Sequence, residues 1–283
     1  MSPAPPLLAV AHGTSDPAGE EVLGRLLERV RALRPGLDAS LGYLDHSRPS
    51  AAEALAALPS GPSVVLPLLL FAATHSKGDI PAVIGRERSA RPDARIVYGR
   101  PLGPDALLVS ALDDRLREAG AGPEHAVVLA AAGASDPQAN ADIAATARLL
   151  WEWRSAGSGR RSENPPVEPA YASASRPTVA EATQRLRRLG YESVALAQAF
   201  LAPGHFARAS ADAVREVAPD AVVADILGAH DDLARLLLSR YDEALGAPVR
   251  MNCDGCMFRT PWPGREYRVG EPPRAPAPWH GGR

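Results

Sequence analysis

AVAHGTSDPAGEE, residues 9–21, is written again as LAAAGASDPQANA at residues 129–141, so that Gly13, Ser15, Asp16 and Pro17 meet Gly133, Ser135, Asp136 and Pro137. Three further pairs follow in the same order. YLDHSRPSAAEA (43–54) matches YASASRPTVAEA (171–182), SVVLPLLLFAATH (63–75) matches SVALAQAFLAPGH (193–205), and PLGPDALL (101–108) resembles ILGAHDDLA (226–234). Ordered matches whose spacing drifts only by loop insertions mark an internal duplication.

Each copy alternates short apolar runs with longer amphipathic ones. In the first copy Leu7–Ala11, Leu37–Leu44, Val64–Phe71 and Ile96–Tyr98 read as buried parallel strands. Pro17–Leu33, Ser50–Leu58, Ile80–Ser89 and Asp105–Ala119 carry helical spacing, for example Val22, Leu26, Leu27 and Val30. The second copy repeats the pattern, with strands expected near 126–131, 167–172, 193–200 and 221–227. Strand–helix alternation implies right-handed crossovers and a parallel sheet covered on both faces. The expected architecture is α/β: two tandem doubly wound parallel-sheet domains, residues 1–121 and 122–247, and an irregular, partly disordered tail over 248–283. Trp151–Pro166 reads as a surface-loop insertion in the second copy.

The 283 residues carry 31 Lys plus Arg against 33 Asp plus Glu, a net charge of −2, which gives no reason to expect nucleic acid or an anionic membrane as partner. The longest apolar run, Val64–Ala73, is too short to span a bilayer, and the first residues lack the basic leader of a signal peptide. A cytoplasmic location is the expectation.

In open α/β sheets ligands bind beyond the carboxyl ends of the strands. There the first copy places His12 after its first strand, Asp45 and His46 after its second, and His75 after its third; the second copy has Ala132, Ser173, Ala174 and His205. The first copy is therefore the candidate chemical half. Two imidazoles with a carboxylate suit a borderline divalent ion and leave coordination positions open. His46 could serve in place of Asp45, and His205 and His230 are candidates for an auxiliary role, whereas His125 and His280 read as surface residues. The run HGTSDP offers backbone donors for an anion, though plain N-capping by Ser15 or Asp16 accounts for the same residues.

These residues resemble those of the sirohydrochlorin chelatases, the class II tetrapyrrole chelatases of the CbiX/SirB type. AHGT (11–14) is similar to the family's first histidine motif and LLLFAATHSKGDIP (68–81) to its second; YLDHSRPS (43–50) resembles the segment where many members carry glutamate in place of Asp45. The resemblance implies two chelatase-like domains and insertion of Co²⁺ or Fe²⁺ into sirohydrochlorin, in cobalamin or siroheme biosynthesis. It also implies that His12 and His75 hold the metal and assist loss of the pyrrole protons, with Asp45 completing the set or holding a histidine tautomer. Arg48, Arg176 and Lys77 are the candidates for binding the substrate's carboxylates, with Arg208 a further cation after a strand. A carrier that binds metal or tetrapyrrole without catalysing insertion is the alternative, and a nickel-inserting enzyme a narrower variant.

Cys253-Asp-Gly-Cys256, the only cysteines, lie in MNCDGCMFR, which looks like the M-x-C-x-x-C segment of long, cobalt-associated members. By that resemblance the pair would hold an iron–sulfur cluster. Two cysteines cannot complete a four-cysteine set in one chain, so a cluster would need a second subunit, as in a homodimer that shares it, or non-cysteine ligands; a reversible dithiol or a Zn²⁺ or cobalt handling site are the other readings.

Overall fold

The computed structural model describes residues 4–155, 164–246 and Tyr267. Among these it contains two four-stranded, all-parallel sheets. The first copy runs β1 (Leu7–Ala11), α1 (Pro17–Leu33), β2 (Ala39–Tyr43), α2 (Ala51–Ala56), β3 (Gly61–Pro67), a π-helical turn (His75–Asp79), α3 (Ile80–Ala90), β4 (Ala94–Tyr98) and α4 (Ala106–Glu118). The second runs β5 (Ala126–Ala131), α5 (Pro137–Ser155), β6 (Val167–Tyr171), α6 (Val179–Arg188), β7 (Val194–Gln198), α7 (His205–Val217), β8 (Val222–Ile226) and α8 (Asp231–Gly246). The sheet orders are β2-β1-β3-β4 and β6-β5-β7-β8.

Burial follows position in the sheet. Every residue of the inner strands β1, β5 and β7 is buried, whereas most residues of the outer strands β4 and β6 are only partly buried. That is why the inner strands read as unbroken apolar runs. Leu8, Val10, Leu55, Val65, Ile80, Val83, Ile84 and Ile96 form one core. Val128, Ala130, Leu186, Val194, Leu196 and Val214 form its counterpart. The expected strand Val64–Phe71 ends early, at Pro67: Leu68 and Leu70 are buried as loop residues, so apolarity there reports burial and not pairing.

Local signals are duplicated with the fold. Asp16 caps α1 by accepting from Ala18 N–H at 3.1 Å, and Asp136 accepts from Gln138 N–H at 3.0 Å where α5 starts. Ser50 with Glu53, and Thr178 with Glu181, form reciprocal capping boxes on α2 and α6.

The chain divides into two compact units at Leu102/Gly103 and again at Leu233/Ala234, so these spatial units differ from the sequence repeats expected to meet at 121/122. The last helix of each copy is the reason. α4 packs with α5, β7 and β8 in the second unit, where Arg115 Nη2 donates to Leu227 O at 2.9 Å. α8 belongs mainly to the first unit, where the buried Arg240 donates to Pro101 O and Leu102 O at 3.1 and 2.6 Å. Tyr241 Oη also donates there, to Pro5 O at 2.6 Å. Among the described residues no helix is long and apolar enough to cross a membrane.

Candidate functional site

In the first unit β1 connects through α1 to β2 on one side, while β3 pairs on its other side. Such a reversal of strand order opens a crevice at the carboxyl ends of the two inner strands. His12 directly follows β1, and His75 begins the π-helical turn after β3. Their rings stand edge to face, centroids 4.6 Å apart and planes at 82°. An ion held by two imidazole nitrogens at about 2.1 Å each spaces those nitrogens by about 3–3.5 Å, a separation this pair can reach with one nitrogen from each ring. His12 Nδ1 faces Gly13 O at 3.3 Å. A carbonyl only accepts, so this contact favours the tautomer with the proton on Nδ1 and the lone pair on Nε2.

His12 titrates below the ordinary histidine value. Partial burial of the ring, which penalises its charged form, is the largest cause, followed by the charge His75 would carry; the Gly13 carbonyl and Asp45 oppose this by less. The shift favours the neutral ring, the form that donates a lone pair to a cation.

Gly13 sets the loop geometry. Its φ is +97°, and a Cβ there would lie 1.7 Å from Asp45 O. Only glycine lets the β1 loop approach the β2 loop so closely. Asp45 N–H donates to His12 O at 2.9 Å, and Thr14 N–H donates to Ser47 Oγ at 3.1 Å. His46 sits in the left-handed region at φ +61°, as does its counterpart Ala174 at +56°, so this conformation belongs to the turn. The His46 ring is 6.3 Å from that of His12. Asp45 turns toward His46: Oδ1 accepts the His46 N–H at 2.8 Å, and Oδ2 lies 3.5 Å from His46 Nε2. Neither Asp45 nor His46 forms, with both His12 and His75, a trio whose ligand atoms all lie within 4.8 Å of one another.

One trio does meet that spacing among the described residues: Asp114, His230 and Asp232, in the second unit. His230 Nδ1 accepts the Asp232 N–H at 3.1 Å, so its lone pair caps α8. The other nitrogen then carries the proton and faces Asp114 Oδ2 at 3.4 Å, while Arg117 pairs with Asp114 Oδ1 at 2.5 Å. The trio is a helix cap with an ion pair.

The anion-cradle expectation for HGTSDP meets its competitor: Asp16 caps the helix, and Asp16 N–H donates to Thr14 Oγ1 at 3.0 Å. Arg48 and Arg176 each pair with the glutamate of the adjacent capping box, Glu53 and Glu181. Lys77 lies in the π-helical turn, its backbone N–H donating to Ala73 O at 3.1 Å. Asp79, which lies within the second histidine motif LLLFAATHSKGDIP but is not among the candidate site residues read from the sequence, ends that turn with Oδ2 2.7 Å from His75 Nδ1. Cys253, Cys256 and His280 lie outside the described residues.

The CbiX family model matches residues 6–119 and again 126–244, one match per copy. The chain belongs to the CbiX family. The sirohydrochlorin cobaltochelatase of Priestia megaterium is 30% identical over 270 residues, covering 89% of this chain and 84% of that protein. The sirohydrochlorin ferrochelatase of the same organism is 27% identical over 239 residues, covering 82% and 87%. Among solved structures, SirB from Bacillus subtilis with Fe³⁺ superposes with a TM-score of 0.70 at 26% identity, covering 85% of this chain and 95% of SirB. Both CbiX matches fall on the same scaffold, yet the second offers Ala132 and the exposed His205 where the first offers His12 and His75.

Proposed function

We propose that this CbiX-family chain is a sirohydrochlorin chelatase that inserts Co²⁺ or Fe²⁺ into the tetrapyrrole, with His12 and His75 as the groups that grip the incoming ion. The facing imidazoles at the carboxyl ends of β1 and β3 carry the residue assignment. The named activities of the relatives supply the substrate and the two metals.

The chemistry follows from the ring states. Metal entry requires two pyrrole N–H protons to leave as the ion arrives. A neutral imidazole can hold the ion through one nitrogen and, once the ion passes to the macrocycle, take up a proton at the same atom. Asp45 and His46, whose carboxylate and ring do not reach ligand spacing with the facing pair, are proposed to guide the ion's approach, and either could complete its coordination only by turning toward His12. Arg48, Arg176 and Lys77 remain the proposed partners of substrate carboxylates; for the two arginines this requires exchange of Glu53 or Glu181 for the substrate. The finer parts of the proposal are a place in cobalamin or siroheme synthesis, a cytoplasmic location, and a cluster shared through Cys253 and Cys256 of a homodimer, which iron and sulfide content after anaerobic purification tests.

Sirohydrochlorin mixed with Co²⁺ or Fe²⁺ should change its visible absorbance faster with the protein than with metal alone, and His12→Ala and His75→Ala should each remove most of that acceleration. Stoichiometric binding without turnover would replace this reading with a carrier. A fully active His12→Ala protein would refute the site.

A further inference from the structure

Asp79 stands where an aspartate usually caps the helix that follows, yet it makes no side-chain capping bond to α3. The helix has little need of one, because the π-helical turn runs straight into it: Ile80 N–H donates back to His75 O. The carboxylate is turned instead to the His75 ring, at 2.7 Å from Nδ1. Only 20% of its side chain is exposed, so water competes weakly for that bond. The turn is braced from β4, where Tyr98 Oη donates to Ser76 O at 2.7 Å.

An ionised carboxylate accepts hydrogen bonds and donates none. The proton between Asp79 and His75 therefore belongs to Nδ1, and Nε2 keeps the lone pair. A carboxylate behind a metal-ligating histidine fixes both the tautomer and the orientation of the ring. We propose that Asp79 is a positioning residue: it locks His75 as the Nδ1–H tautomer and presents Nε2 to the incoming ion. The metal part of this inference rests on the reading of His75 given above; the tautomer part does not.

The duplication supplies an internal comparison. His205 takes the place of His75 in the second copy, but it opens an ordinary α-helix, and the residue four positions on is Ala209. Its ring lies against Phe206, centroids 5.8 Å apart. That copy also has Ala132 in place of His12. The acid and the π-helical turn thus accompany the facing imidazoles and are absent where the second imidazole is absent. A purely structural carboxylate at this helix start would have no reason to follow the chemistry.

The test reads the ring directly. In the metal-free full chain labelled with ¹⁵N-histidine, a long-range ¹H–¹⁵N spectrum, with His75 assigned by its loss in His75→Ala, should show a protonated Nδ1 and a bare Nε2. In Asp79→Leu the proton should move to Nε2 in most molecules, and Co²⁺ affinity should fall about 10- to 100-fold, with part of the loss recovered in Asp79→Glu. Should Asp79→Leu fail to fold, Asp79→Ala, which adds no bulk, carries the same expectation. An Nε2–H His75 in the wild-type chain overturns the proposal, as does a carboxylate-free variant with unchanged tautomer or undiminished Co²⁺ affinity. A chain that shows the Nδ1–H pattern and binds Co²⁺ but inserts no metal would refute the chelatase reading and leave this inference standing.

Discussion

Gly13→Ala should separate the site from the scaffold beneath it. The added Cβ would sit 1.7 Å from Asp45 O, where real Cβ atoms essentially never approach closer than 3.0 Å, so the β1 and β2 loops must part by about 1.3 Å. The atom it strikes is tied down, since Asp45 O accepts from Ser47 N–H at 2.7 Å and Asp45 N–H donates to His12 O at 2.9 Å. Forcing an L-residue into the left-handed region costs roughly 1–2 kcal/mol. Losing one or two of those bonds adds roughly 1 kcal/mol each. The expected loss of stability is about 2–4 kcal/mol, read by urea unfolding. A displacement of this size next to His12 should also slow metal insertion by about 100-fold, read as the initial rate of sirohydrochlorin absorbance change. Gly133→Ala is the matched control: φ is +78°, and its Cβ would meet Ser173 O at 2.2 Å. It should cost comparable stability while keeping most of the insertion rate and Co²⁺ affinity. If Gly13→Ala inserts metal within about twofold of wild type, or if both variants lose insertion equally, the assignment of chemistry to the first copy fails.

Other consequences can be measured separately. Because His12 in the folded chain titrates below its ordinary 6.5, the unfolded chain binds more protons between the folded and ordinary values. Stability should therefore rise with pH through that window, with the His12 contribution complete above pH 6.5; an NMR midpoint for His12 above 6.5 would contradict this, and His75→Ala should move the midpoint upward. Tyr98→Phe removes the bond to Ser76 O and should cost about 1 kcal/mol while loosening His75, visible as weaker Co²⁺ binding; unchanged affinity would show that the brace is dispensable. Arg240→Met leaves the Pro101 and Leu102 carbonyls without their buried donor, at roughly 1–3 kcal/mol each. A loss under about 1 kcal/mol would argue against α8 as an integral part of the first unit.

What could be read in the sequence is what depends on local order along the chain. The bounds of β1 and α1 coincide with expectation because Leu7–Ala11 is wholly buried and Asp16-Pro17 is an unambiguous helix start. His12 and His75 stood out as candidates because each follows an inner strand, and the structure brings their rings together. What depends on distant packing was not readable. The apolar stripe of α4 requires a sheet to cover, but two similar sheets exist and the stripe does not say which; it covers β7 and β8. Asp79 lies inside the second histidine motif, but nothing local assigns its side chain: only the continuity of the π-helical turn with α3 leaves it uncommitted to capping and turned to His75. Arg48 and Arg176 read as strand-end cations that could bind substrate carboxylates, while the S/T-x-x-E pattern beside them signals the glutamates with which the structure pairs them.

The two copies sort the residues of this protein by what each answers to. Features that the backbone needs are kept twice: a left-handed glycine after the first strand, an aspartate cap, a capping box, and a left-handed residue at position 46 or 174. At the homologous positions, His12, Asp45, His46 and Asp79 face Ala132, Ser173, Ala174 and Ala209. Since both sheets fold with the same strand order, none of those four side chains is required to build the scaffold. Only His75 has a histidine counterpart, and among the described residues His205 has neither a facing imidazole nor a carboxylate behind its ring. A histidine at a strand end is thus compatible with the fold on its own. The combination of a second ring 4.6 Å away and an acid fixing the first ring's proton is what the fold alone does not explain.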